Sequence, residues 1–310
     1  MNALFHIPGI STHYELNYNY IKLVKERPEL FRDGVEIASV YGTFPPALWN
    51  GGRAIRGFTD LNAANRIIHA YNDLGVRVRL TFTNPLLKPE HLEDEFCNEI
   101  CKMAENDINE IIIFSPLLEQ YLRKTYPKFT YTSSTCKQIE DPEELKKELE
   151  RDYRLVVLDY NWNNQFDFLE TLPHKDKCEF LLNAICISHC PMRKYHYQYL
   201  GQQQIINNEI APLIEDLGRG AEIVPEGMNP FKCPYDTSLE KGMNQQTYIS
   251  CDALYSKYLP MGFSNFKIEG RTYSHMAMLG EYIKYMVKPE CADEVHSLLD
   301  QYTVDDNHQQ

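Results

Sequence analysis

From its first residues to its last quarter, the chain alternates short β-branched runs with longer stretches of helical period. The apolar runs predict strands at Ala3–Ile7, Val35–Tyr41, Val76–Thr83, Glu110–Phe114, Phe129–Ser133, Leu155–Tyr160, Phe180–Cys186 and Asn265–Glu269. Amphipathic spacing predicts helices over Tyr14–Arg32, Leu61–Leu74, Pro89–Asn106, Leu117–Thr125, Pro142–Asp152 and Tyr273–Val287. Gly34 and Gly75 each stand between a helix and the next strand, where a left-handed residue ends the helix. Asp141-Pro142-Glu143-Glu144 supplies an N-cap, a first-turn proline and acids at the positive end of the dipole.

Strands that alternate with helices imply a parallel sheet. Eight such units fit a closed (β/α)8 TIM-like barrel. An open doubly wound sheet is the other arrangement, but no G-x-G-x-x-G follows the first strand to support it. Residues 1–304 then form a single domain, with 305–310 as a disordered tail. One connection breaks the rhythm. The segment 187–264, between strands seven and eight, is far longer than the others and rich in Tyr, Gln, Asn, Gly and Pro. Such an insertion is expected to lie over the C-terminal face, where barrel enzymes build their sites.

Charge narrows the choice of ligand. With 31 Lys+Arg against 44 Asp+Glu the net charge is −13, which argues against a DNA binder or a general phosphate-backbone binder. A local basic pocket remains compatible with RNA. No apolar run reaches the ~20 residues of a membrane helix, and the first residues lack the basic and apolar regions of a signal peptide. The expectation is a cytoplasmic protein, with no membrane partner, that acts on a small-molecule substrate.

Nine cysteines are an odd count, and in that compartment they read as core residues, metal ligands or catalysts. Cys97 and Cys101 fall in the stripe Phe96, Cys97, Ile100, Cys101, Ala104 and read as core. Cys291, spaced with Val295 and Leu298, reads the same way. Cys178 begins the seventh strand, at the opposite end from Cys186, and Cys136 follows the fifth strand closely enough to reach the mouth. Cys186 and Cys190 form a C-x3-C-P element, while Cys233 (followed by Pro234) and Cys251 come later in the insertion. Thiolates favour iron–sulfur clusters or zinc, and four on loops over a barrel mouth can converge. Four unrelated loop thiols satisfy the same spacing, and His189 and His196 are alternative ligands.

Polar residues gather where strands end. Asn84, Asp159, Asn161 and Asn183 are candidates to line a pocket, and Arg53, after a glycine pair in the loop behind strand two, is placed to contact an anion. The stretch Phe266-Lys267-Ile268-Glu269-Gly270-Arg271 alternates strictly, with Lys267, Glu269 and Arg271 on one face. Charges on the inner face of a barrel strand are costly unless paired or lining a site. Glu269 is therefore a candidate general base or charge partner, Arg271 an anion grip and Lys267 a substrate contact. H-E-x-x-H, G-x-S-x-G and the P-loop signature are all absent.

The stretch Met261–Arg271, with its Lys-Ile-Glu-Gly-Arg element, resembles the U32 family of collagenase-like peptidases, and the likeness extends over about residues 1–290. The resemblance implies an iron–sulfur barrel protein that holds a 4Fe-4S cluster on four cysteines. It also implies oxygen-independent hydroxylation of transfer RNA, ribosomal RNA or a quinone ring, with prephenate as a hydroxyl source in some members. Glu269 and Arg271 match the signature, and Cys186, Cys190, Cys233 and Cys251 match the family's cysteines in order. The Cys186-x3-Cys190 spacing departs from the family's wider pattern. Three functions are thus expected: an iron–sulfur hydroxylation or redox enzyme acting on a small polar or aromatic metabolite or an RNA base, with Asp159 beside Glu269 and Arg271; a peptidase-like hydrolase with structural zinc; or a non-catalytic partner of a second U32-like barrel.

Overall fold

Eight strands with one apolar and one polar face close into a ring in the computed structural model, which describes residues 2–211, 231–235 and 239–303. They are β1 (Ala3–Pro8), β2 (Val35–Gly42), β3 (Arg77–Phe82), β4 (Glu110–Ile113), β5 (Thr130–Ser133), β6 (Leu155–Val157), β7 (Cys178–Leu181) and β8 (Asn265–Lys267). All are parallel and ordered as in the sequence, and β8 returns to β1 with His6 opposite Lys267. This is the (β/α)8 barrel that the pattern predicts.

The seventh strand departs most from its predicted span. It starts at Cys178 and stops at Leu181, so Cys186 lies beyond the strand rather than at its end. Past Leu181 the backbone turns to the returning insertion instead. The Ile249 N–H donates to the Leu182 carbonyl at 2.8 Å, and Asn183 bridges to Tyr248.

Helices α1 (Tyr14–Glu26), α2 (Leu61–Asp73), α3 (Glu95–Ala104), α4 (Pro116–Thr125), α5 (Pro142–Glu150) and α6 (Phe166–Glu170) follow the first six strands, and a helix His275–Met286 follows β8. Asp60, Asp94, Ser115, Asp141 and Ser274 each accept a backbone N–H from the first turn, which explains where those helices begin. The first helix ends at Glu26, short of Arg32, because Pro28 opens a separate 3-10 turn.

The insertion contains α7 (Arg193–Glu209), which no apolar stripe advertises. Its buried face includes Tyr199, Gln203, Gln204 and Asn207. Later in the insertion, Cys251–Ala253 continues as a π-helical turn over Leu254–Tyr258. The expected tail 305–310 and residues 212–230 of the insertion lie outside the described residues.

Outward-facing side chains such as Phe5, Ile7, Val78, Leu80, Ile111, Ile113, Phe180 and Phe266 join the helices in one apolar core. Each such burial contributes on the order of 1.5–3 kcal/mol. Cys97 and Cys101 are buried in that core, as expected. In the final helix, Ala292–Leu299, the buried residues are Val295 and Leu299, whereas Leu298 faces solvent. Cys291 is half-buried at its start.

The inward face is unusual. Barrel interiors are normally filled by branched apolar layers, but here His6, Arg79, Glu110, Thr132 and Glu179 are fully buried. Arg79 on β3 meets Glu179 on β7 at 2.7 Å, and since these strands are not neighbours the contact crosses the interior. Arg79 also lies 3.5 Å from Glu110, whose other oxygen pairs with Arg154 at 2.7 Å. Burial alone would push both carboxyls up. At Glu179 the charge of Arg79, with a smaller contribution from Lys267, reverses this and holds it at about 2, while Arg79 and Arg154 hold Glu110 below its ordinary value.

His6 sits within this lattice, with Nδ1 2.7 Å from Ser39 Oγ and Nε2 3.2 Å from Asn265 Oδ1. Burial, more than any neighbouring charge, lowers its pKa from 6.5 to about 3. The unfolded chain therefore binds a proton that the folded chain refuses, and stability is lost as pH falls from about 6.5 towards 3. Between pH 7 and pH 5 this group should cost about 2 kcal/mol by linkage. Urea unfolding of wild type and His6→Gln at the two pH values checks it. Equal losses in both proteins would show that His6 is not held neutral.

Candidate active site

The strand ends at the C-terminal face enclose a chamber of about 50 Å³. Tyr41 comes from β2, Thr81 from β3, Cys136 from the turn after β5 and Leu181 from β7, while Lys267, Glu269 and Arg271 come from β8 and its continuation. Gly52 and Arg53 from the loop after β2 and Tyr197 from α7 complete the wall. A second hollow of about 370 Å³ lies alongside, lined by Phe114, Lys137, Lys194 and Gln198. Cys136 and Tyr197 line both and thus form the partition between them.

Lys267, the last residue of β8, carries its ammonium 3.9 Å from the Tyr41 ring centroid and 3.8 Å from Glu179 Oε1. It makes no hydrogen bond among the described residues. Burial lowers its pKa to about 8, with Arg79 and Arg271 adding to the shift and Glu179 opposing it. Arg271 is held rigidly: one Nη donates to Asn50 Oδ1 at 3.1 Å and Thr81 Oγ1 at 2.9 Å, the other to the Gly51 carbonyl at 3.0 Å. Burial lowers its pKa, and Arg53 adds to that. Arg53 is less enclosed and lies 3.8 Å from Glu269.

Gly270 lets the chain bend between these charges. Its φ is +145°, and a Cβ there would stand 2.1 Å from Met278 Sδ. Its carbonyl is 3.0 Å from His13 Nε2. On one side of it, the Glu269 N–H donates to Asn183 Oδ1 at 2.7 Å, while the Asn183 amide donates to the Glu269 carbonyl at 3.1 Å.

Of the sequence candidates, Arg53, Lys267, Glu269 and Arg271 meet in one chamber. The other four do not line it and instead brace the backbone and helix around it. Asn183 clamps the Glu269 backbone and donates to Glu281 at 3.0 Å. Asn84 donates to the carbonyls of Leu48 and Gly201, and the approach of α7 is so close that a Cβ on Gly201 would lie 2.6 Å from Asn84 Oδ1. Asn161 accepts from the Ser188 hydroxyl and the His189 N–H, which ties down the start of the insertion.

Asp159 pairs with buried Arg193 and caps the turn Tyr160–Trp162. Burial raises its pKa while Arg193 works against that shift. The Arg193 guanidinium also covers the Tyr160 ring at 3.9 Å and donates from Nε to the Tyr197 hydroxyl at 3.1 Å. Asp159 thus anchors the helix that covers the mouth and does not line the chamber.

Sequence reasoning missed Tyr197 and Arg193. The i,i+4 spacing of Arg193 and Tyr197 was the available signal, but it becomes meaningful only once that segment is seen as a helix.

The four candidate metal-binding cysteines are dispersed. Cys186 lies near the mouth, where burial raises its thiol pKa and Glu269 and Arg53 are its nearest charges. Cys190 precedes α7, with its carbonyl accepting from the Arg193 N–H. Cys233 is exposed, two residues past Phe231, which stacks on His196 at 4.1 Å. Cys251 belongs to the outer helical layer, where its charged neighbours are Arg32, Asp252 and Lys284. Arg32 precedes β2 at the opposite end of the barrel from the mouth. Among the described residues no three His, Cys, Asp or Glu side chains converge as a metal site. The donor set for a four-thiolate cluster or zinc does not fit this arrangement.

No protein-family model matches the chain, and no curated protein matches it in sequence. Among solved structures it is similar to the U32 peptidase Mk0906, at 11% identity and a TM-score of 0.47 over 87% of this chain and 94% of that one. It is also similar to a candidate alpha-L-fucosidase from Bacteroides thetaiotaomicron, at 10% identity and a TM-score of 0.34 over 96% of this chain and 64% of the other. Both are likenesses of overall shape, and the barrel itself rests on its own strand pairing.

Proposed function

We propose that the chain is an enzyme of small-molecule metabolism whose mouth chamber binds a compact anionic substrate, with Arg53 and Arg271 facing the anion and Lys267 and Glu269 serving proton transfer. The observation that carries this reading is the excess of cations around so small a space. Counting Lys267 as an ammonium, five cations (Arg53, Arg79, Arg154, Lys267, Arg271) face three carboxylates (Glu110, Glu179, Glu269) in the interior and chamber. A neutral Lys267 and one bound anion leave four charges of each sign.

The volume points the same way. At on the order of 10–15 Å³ per water, the chamber takes a ligand of only a few heavy atoms. An RNA base or a peptide exceeds it. A peptidase would also need an activated nucleophile, yet burial pushes the Cys186 thiol away from its thiolate form.

Titration calorimetry with short carboxylates and inorganic phosphate tests the reading. Wild type should bind at least one of them, and Arg53→Met should weaken that binding roughly 10- to 100-fold, as expected for a charge-assisted hydrogen bond. Absence of any small-anion binding, or an affinity unchanged in Arg53→Met, would overturn it. In that case the role of a non-catalytic partner to a second barrel becomes the better account.

A further inference from the structure

Lys267 differs from the arginines of the interior and the mouth. Arg79, Arg154, Arg193 and Arg271 each donate hydrogen bonds to named oxygens. Lys267 makes none among the described residues: Glu179 stands off at 3.8 Å and is already paired with Arg79 at 2.7 Å. An amine buried at a strand end, without a hydrogen-bond partner among the described residues, held only by a long ion pair and an aromatic face, and lining a cavity, is available for chemistry. Around it stand two guanidiniums that suit a carboxylate and one further carboxylate, Glu269, that can take a proton. The Tyr41 ring covers the other side of the ammonium and shields it from solvent.

We propose that Lys267 condenses with a short-chain 2-oxo acid, of the size of glyoxylate or pyruvate, to form an imine whose carboxylate is held between Arg53 and Arg271. This rests on the anion-binding reading above and adds a covalent step to it. The nitrogen lone pair of the neutral amine attacks the C2 carbonyl, and one proton moves from nitrogen to the former carbonyl oxygen. A second proton, taken from solvent, lets that oxygen depart as water while C2 and nitrogen form the double bond of a protonated imine. No electrons are gained or lost. In the protonated imine of pyruvate the C3 hydrogens become acidic, and Glu269 is the chamber carboxylate available to remove one, whereas glyoxylate has no such hydrogen and its imine carbon is an acceptor for a nucleophile. The reaction class is therefore proton exchange or carbon–carbon bond chemistry next to a carbonyl.

The chamber size sets the substrate length. With about 50 Å³ available, a two- or three-carbon acid fits, whereas longer chains have to extend past Tyr197 and Cys136 into the neighbouring hollow. A preference for glyoxylate or pyruvate over longer 2-oxo acids follows directly.

The test uses the full chain incubated with pyruvate or glyoxylate and cyanoborohydride, which reduces an imine to a stable secondary amine. The product is then read by intact mass and peptide mapping. The expected result is one adduct per chain at Lys267, absent from Lys267→Met and Lys267→Arg, with both variants still folded by circular dichroism. The arginine variant keeps the charge beside Glu179, so loss of the adduct there cannot be ascribed to a collapsed core. Binding of pyruvate by calorimetry with no adduct at Lys267 would overturn the imine while leaving the anion site standing. Adducts spread over surface lysines and unchanged in both variants would overturn it equally. A chain that binds neither acid would overturn both readings together.

Discussion

Replacing Arg79 by methionine should destabilise the protein by about 3–5 kcal/mol, the range for removing one partner of a buried ion network. Arg79 is fully buried and reaches Glu179 at 2.7 Å, Glu110 at 3.5 Å and Thr132 Oγ1 at 3.0 Å. Burial opposes its charge, but the two glutamates more than offset this and hold its pKa above the usual value. Without it, Glu110 keeps Arg154, whereas Glu179 is left with a neutral His6 at 3.9 Å and Lys267 at 3.8 Å. Glu179 must then either stay charged with little compensation or take up a proton. Urea unfolding at neutral pH measures the loss. Arg79→Met combined with Glu179→Gln should recover part of it, because the orphaned charge is gone, and with the Glu179→Gln single variant the cycle gives the coupling energy. A loss below about 1 kcal/mol in the single variant would mean that water or relaxation already satisfies the network.

Gly270→Ala should cost about 3 kcal/mol and weaken anion binding as well. Two effects add. A side chain at φ +145° carries backbone strain of roughly 1–3 kcal/mol, and overpacking a filled site carries a similar amount. The new Cβ would meet Met278 Sδ at 2.1 Å and the Tyr273 ring at 3.0 Å, and Met278 is fully buried. The residues on either side are Glu269 and Arg271, so any backbone shift that relieves the clash moves the chamber wall. Thermal unfolding and calorimetry on Gly270→Ala, and on Gly270→Ala with Met278→Ala, separate the two effects. The double variant removes the clash but keeps the strain. If the single variant bound anions and unfolded like wild type, the glycine would have no conformational role.

The architecture was legible because each outward strand face is apolar and the connections up to the sixth strand carry helical period. Phe5 and Ile7, Val78 and Leu80, and Phe180 and Phe266 carry that signal without help from tertiary context. The charged chamber was legible at Arg53 and along β8 and its continuation, where Lys267, Glu269 and Arg271 alternate with Phe266 and Ile268. The rest of the polar interior was spread one or two residues per strand, as with Arg79, Glu110 and Glu179, and none forms a local motif.

Polar residues at strand ends were ambiguous for a different reason. Asn84, Asp159, Asn161 and Asn183 occupy positions where a ligand contact and a backbone clamp look alike in sequence, and here they clamp. The cysteines show the limit of spacing. An insertion can bring distant thiols together or part them, and Cys251 leaves the mouth because its helix packs on the outer layer beside Arg32 and Lys284. Helix α7 was invisible because much of its buried face is amide: Gln204 Oε1 accepts from Asn50 and the Ile55 N–H, and Asn207 donates to the Ile55 carbonyl.

Strand β8 closes the ring with only three residues, and one of them is Lys267. As the chain emerges from the ribosome, β1 and β7 present two open sheet edges until that short strand arrives. The residue that brings the amine is therefore part of the piece that seals the barrel. A chain truncated before Asn265 has neither a closed sheet nor Lys267. The step that seals the ring is thus the one that seats this amine against Tyr41 and Glu179.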